Sequence, residues 1–180
     1  MRRILVQDFT RQLHASFGFR SPVDDKKLFD FYRANDYHGM AGVVMTTLAV
    51  DLKVKLGLVN KGGPKAPAWL ARPRLLPPIF SPQFKETEVI VYLRKTFIAE
   101  VGFESIVLAL AHEFSHIILD STYHPLRESE EAVDLTAMLL GFRDFYVTGS
   151  KVRTPDGGYR LGYLTEEEVS YAAWFMTYGQ

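Results

Sequence analysis

Between Ala111 and Asp120 the chain reads Ala-His-Glu-Phe-Ser-His-Ile-Ile-Leu-Asp, and the His-Glu-x-x-His word inside it constrains the fold more than any other stretch. At ~3.6 residues per turn of helix, His112 and His116 stand one above the other on a single face, where two imidazoles can converge on one metal ion. Glu113 then falls beside such an ion rather than on it, placed to accept a proton from a bound water and pass it to a leaving amine. The flanks read as a buried helix, because Phe103, Ile106 or Val107, Leu110, Phe114 and Ile117 recur at three and four. Two histidines and a glutamate on so apolar a helix are costly without partners.

Partners are offered by Glu128-Ser129-Glu130-Glu131-Ala132-Val133-Asp134-Leu135-Thr136-Ala137-Met138-Leu139-Leu140. Its apolar residues at helical spacing and its good helix formers predict a second helix, entered through the turn His124-Pro125 and antiparallel to the first. With the first helix ending about Leu119 and the second starting near Arg127, a rise of ~1.5 Å per residue sets Glu130 level with His116 and Asp134 level with His112. Glu130 is then a third ligand. Asp134 accepts the other ring N–H of His112 and so fixes its tautomer. Three protein ligands with an open fourth position form the catalytic zinc pattern.

His-Glu-Phe-Ser-His followed by Glu130-x-x-x-Asp134 resembles the gluzincin metallopeptidases, in which a glutamate from a following helix completes the metal site. The run Glu-Glu-Ala-Val-Asp-Leu-Thr-Ala-Met-Leu-Leu is similar to the corresponding helix of the ImmA/IrrE-type minimal gluzincins and to that of the membrane-bound HtpX-like peptidases. The likeness covers residues 102 to 142. Asp134 stands where the ImmA type has asparagine, and Thr136 where it has an aromatic. Carried over by position, the resemblance implies His112, His116 and Glu130 as zinc ligands, Glu113 as general base and Asp134 as support. It also implies that a strand near residues 88 to 93 lines the cleft and pairs with extended peptide. An interior strand is the equal alternative.

Rival ligands are weaker. Asp120 is on the same helix as His112 but ~12 Å along it, too far to share one ion. Glu131 lies about 100° round the helix from Glu130. His124 does not complete a three-histidine pattern of the metzincin kind, since Leu119 and Thr122 hold the positions that pattern needs. His124 is instead a candidate catalytic residue, a loop side chain that, like Tyr123, can stabilise a developing oxyanion.

Length and charge narrow the function classes. A chain of 180 residues suits one domain over 1–180, and an apolar content of 47% decides against disorder. Lys plus Arg and Asp plus Glu are 21 each, so no net field recruits nucleic acid or an anionic membrane. There is no cysteine, which excludes disulfides and thiolate ligands and fits a reducing compartment. The apolar run after Met1 ends at Gln7 and Asp8, far short of a signal core or a membrane span, so the expected location is cytoplasmic.

Elsewhere the patterns are scaffold-like. Pro22 to Asn35 predicts a helix, and a strand is expected at about 49 to 58 with a helix before it. Asn60 to Thr87 holds six of the nine prolines together with Trp69, Leu75, Leu76, Ile79 and Phe80, which reads as a packed loop and a candidate lid over the cleft. A hairpin is expected around Pro155-Asp156-Gly157-Gly158, and Thr165-Glu166-Glu167-Glu168 opens a last helix with a capping box. The expected fold is α+β, a small zincin-like domain with a short twisted sheet against the active-site helix. The expected function is a zinc-dependent metallopeptidase acting on a peptide or protein. The alternative is a non-catalytic module in which the same metal ties two helices together.

Overall fold

The computed structural model describes residues 2–61, 63, 66–154 and 157–179, with the backbone alone for 153, 154 and 157–159. The chain is α+β. Helices α1 (Arg3–Phe17), α2 (Asp25–Arg33) and α3 (Tyr37–Leu48) precede strand β1 (Lys53–Val59), strand β2 (Ala68–Ala71), helix α4 (Pro82–Glu86) and strand β3 (Glu88–Arg94). Then come α5 (Lys95–Glu100), α6 (Phe103–Ser121), α7 (Glu130–Ala137), a kink (Met138–Phe142) where Leu140 and Gly141 leave helical geometry, α8 (Arg143–Gly149), β4 (Lys151–Thr154), β5 (Gly157–Arg160) and α9 (Glu166–Tyr178). No helix among the described residues is long and apolar enough to cross a membrane.

Helix α6 is the axis of the molecule. From Ser105 to Ser121 every residue but His116 is buried, because α7, α8, α3 and β2 all pack on the helix. Its apolar residues Ile106, Leu110, Phe114 and Ile117 are wholly enclosed, each contributing about 1.5–3 kcal/mol by burial. That enclosure makes any polar side chain on the same helix an expensive exception.

The sheet is mixed, in the order β1-β3-β2, with β1 parallel and β2 antiparallel to β3. Val89, Val91 and Leu93 of β3 are fully buried and alternate with more open neighbours, the period-two pattern of a strand with one face on the core. Register is pinned by one row across the three strands. Gly57, Tyr92 and Trp69 are partners in turn, the Trp69 and Tyr92 rings stack at 5.0 Å, and a Cβ on Gly57 would fall 2.4 Å from the Tyr92 ring. Only glycine leaves room there for the aromatic pair.

Several boundaries differ from the sequence expectation for local reasons. Helix α2 starts after Asp24 rather than at Pro22, since the Asp24 carboxylate accepts the Lys26 N–H as an N-cap. Strand β1 begins at Lys53 because Ala49 closes α3 in the left-handed region, at φ 56°. The stretch 1–20, without assignment in the sequence, forms α1. The expected hairpin is β4 paired with β5, whose turn residues 155 and 156 lie outside the described set. The capping box at Thr165 and Glu168 is present.

The proline-rich segment is where expectation and structure part most. It contributes β2 and α4, and it is anchored by Leu76 and Phe84, both buried. Leu75 and Phe80 are instead 68% and 69% exposed, so they hold no lid over a groove. Strand β3 lies in the middle of the sheet, the interior position that the sequence reading held as its equal alternative, and β2 takes the edge.

Candidate metal centre and cleft

The sequence brings His112, His116 and Glu130 together. One ligand atom from each lies within 4.8 Å of the others. Glu130 Oε2 stands 3.2 Å from His112 Nε2 and 3.3 Å from His116 Nε2. For a tetrahedral ion with bonds of about 2.0 Å, neighbouring ligand atoms are ~3.3 Å apart. Glu130 Oε2 is closed off from solvent and faces the two imidazole nitrogens, where an ion seated between them would satisfy it. Two nitrogens and a carboxylate oxygen fit zinc.

Behind the metal face is a dense polar knot centred on Asp134, which is fully buried. Its Oδ1 lies 2.8 Å from His112 Nδ1 and accepts the Tyr146 hydroxyl at 3.0 Å. Its Oδ2 accepts the backbone N–H groups of Tyr163 at 2.6 Å and Leu164 at 3.2 Å. Those amides reach it because Gly162 turns the chain at φ 82°, where a Cβ would fall 2.9 Å from Asp134 Oδ2. Four donors stabilise one buried carboxylate, and one of them is the Nδ1–H of His112, which leaves Nε2 as the nitrogen that a metal would take on displacing its proton. The pairings His112 with Asp134 and His116 with Glu130 also fix α6 and α7 as antiparallel.

The electrostatics follow from this arrangement. Burial alone pushes the His112 imidazolium down, but the carboxylates of Asp134 and Glu130 outweigh it and raise its pKa to about 10. The two imidazoles hold Glu130 well below the usual carboxylate range. Burial pushes Glu113 up, opposed by His112 and His116 and by a hydrogen bond from the Leu70 backbone N–H.

His112 and Glu113 form one wall of a cleft of about 240 Å³, with Leu108 and Ala109 on the same helix. Residues 66–68 form the opposite wall, and residues 160–163 close the end. Pro67 O accepts Arg94 N–H at 3.0 Å, which turns residues 67, 69 and 71 toward β3. The backbone groups of Ala68 and Leu70 therefore point to the open edge of the sheet, where Leu70 N–H meets Glu113.

The two loop residues proposed from sequence are elsewhere. His124 is buried, its ring 5.6 Å from that of Phe17, and its Nδ1 accepts the Leu126 N–H at 3.2 Å. It caps the loop between α6 and α7 and does not line the cleft. Tyr123 hydrogen-bonds Leu76 O at 3.1 Å and ties the proline-rich segment to the end of α6. The side chain that does flank the metal face is Tyr163, whose ring stacks on His112 at 5.7 Å. Burial raises its pKa, so it stays a hydroxyl donor. Nothing in the spacing of Leu161-Gly162-Tyr163 pointed to this, although a glycine before an aromatic is the one local hint of a forced turn.

Comparison of the chain with family models, with curated proteins and with solved structures finds no match.

Proposed function

We propose that this chain is a zinc-dependent metallopeptidase of gluzincin type with a zincin-like fold. The observation that carries the reading is the convergence of His112, His116 and Glu130 within 4.8 Å, with Glu130 Oε2 3.2 and 3.3 Å from the two imidazole nitrogens and Glu113, next in the chain to His112, lining the same cleft. A zinc ion held by those three side chains supplies Lewis acidity toward a water and a peptide carbonyl. Glu113 accepts the proton of the attacking water and returns it to the leaving amine. The Leu70 amide holds the Glu113 carboxylate in place. Asp134 keeps the Nε2 lone pair of His112 on the metal side. Ala68 presents its backbone N–H and C=O on the open sheet edge, where an extended peptide can pair as an added strand. Tyr163, beside His112, offers a hydroxyl to the developing oxyanion.

The test is metal content together with peptide hydrolysis. Protein purified without chelator is expected to carry about one zinc per chain, lost in His116→Ala and kept in Glu113→Gln, which loses hydrolysis. Stoichiometric zinc in His116→Ala refutes the ligand set. Zinc without cleavage of any peptide by the unaltered protein leaves the metal as a structural tie between α6 and α7.

A further inference from the structure

Arg160 ends β5 at the closed end of the cleft, on the same wall as Gly162 and Tyr163. Its Nε donates to Leu164 O, which fixes the side chain. Its Nη2 is shut off from solvent and has no hydrogen-bond partner among the described residues. A buried guanidinium nitrogen without an acceptor is costly, and Arg presents its donors in a planar fork matched to a carboxylate.

The carboxylates already in its neighbourhood are Asp134, Glu166 and Glu168. Each is committed to other groups. Asp134 takes His112, Tyr146 and two amides, Glu166 pairs with Lys151, and Glu168 takes Arg2 and the Thr165 amide. Apart from His112, Glu113 and Tyr163 at the candidate metal end, the rest of the lining is apolar or small, from Leu108, Ala109, Ala68 and Leu161. At about 240 Å³ the cleft falls below the ~300–1,000 Å³ of drug-sized ligand sites and suits a single residue of a peptide.

We infer that the cleft selects peptides with a carboxylate on the residue that enters it, Arg160 being the group that recognises it. This specificity rests on the peptidase reading above and adds the substrate class to it. An aliphatic stem packs on Leu108 and Ala109 while the carboxylate reaches the guanidinium. The carboxylate is either an acidic side chain or the terminal carboxyl of the peptide.

The experiment compares matched peptides that differ only in one residue, Glu, Gln, Leu or Lys, each made with a free and an amidated C-terminus. Hydrolysis is measured with the zinc-loaded protein, and binding of the same peptides with zinc-loaded Glu113→Gln by calorimetry. Glu over Gln is expected to gain about tenfold or more in kcat/KM and in affinity if the side chain is read. Free acid over amide gains by the same factor if the terminus is read. Arg160→Gln should collapse either ratio to near one. Arg160→Glu should turn the preference toward Lys, a gain that a misfolded protein cannot produce. Equal binding of Glu and Gln peptides and of free acids and amides overturns the inference, as does a preference that survives Arg160→Gln. If no peptide is cut but the bound preference follows Arg160, the peptidase reading fails and the carboxylate site stands.

Discussion

His112 Nδ1 and Asp134 Oδ1 are 2.8 Å apart, a contact that joins the metal face of α6 to a carboxylate shared with the loop before α9. The spacing of the two residues suggests a support for the histidine alone. Because Asp134 also accepts Tyr146, Tyr163 and Leu164, it is a fold determinant as well.

Asp134→Asn is therefore expected to destabilise the metal-free protein by about 3–5 kcal/mol, since an amide turns an acceptor into a donor against donors. Zinc affinity should fall about ten- to a hundred-fold as well. Urea unfolding with and without zinc measures both effects. Unchanged midpoints and affinity would show that the knot is not formed.

Zinc uptake should release a proton. Without metal, His112 is protonated at neutral pH because Asp134 and Glu130 lift its pKa to about 10, whereas a ligand must be the neutral imidazole. The apparent zinc affinity should then rise about tenfold per pH unit up to that pKa. The raised value also stabilises the metal-free fold. That stability is full below the ordinary histidine pKa of 6.5 and is lost as pH rises through about 10. Calorimetry in buffers of different ionisation enthalpy reads the proton directly, and zinc binding without proton uptake by the buffer contradicts the assignment.

The convergence of His112, His116, Glu130 and Asp134 was legible in the sequence, and its surroundings were not. His112, His116, Glu130 and Asp134 follow from helical period and one antiparallel turn, both local rules with fixed geometry. The edge strand was hidden because Ala68 to Ala71 is four residues between Pro67 and Pro73, too short to show an alternation. Tyr163 and Arg160 were hidden for a different reason. They reach the cleft through tertiary folding of the segment after β5 back onto Asp134, which no periodicity encodes. His124 was misplaced because sequence proximity to the metal helix says nothing about direction, and the turn at Tyr123, with φ 51°, carries it toward Phe17.

Two substitutions separate these last residues. Tyr163→Phe should lower kcat by about a hundred-fold with zinc retained, the loss of one oxyanion donor. His124→Ala leaves Leu126 N–H without its acceptor and should cost about 1–3 kcal/mol of stability while kcat stays within a factor of about two. Steady-state kinetics on both variants decides which tyrosine or histidine matters, and a kcat loss confined to His124→Ala would reverse the assignment.

The sheet has two outer strands, and they are guarded unequally. Along β1, Lys53 and Lys55 project charged side chains that pair with Glu86 and Glu88, and charge on an edge discourages another strand from docking. On the other side, β2 carries no such charges within its four residues. Its protection is brevity, with prolines flanking it and α6 packed close by. One short peptide can register there, but a long strand of another molecule cannot continue past Pro67 or Pro73 in the same pairing. The molecule thus keeps a short stretch of edge backbone beside its cleft without offering a template on which copies of itself could polymerise.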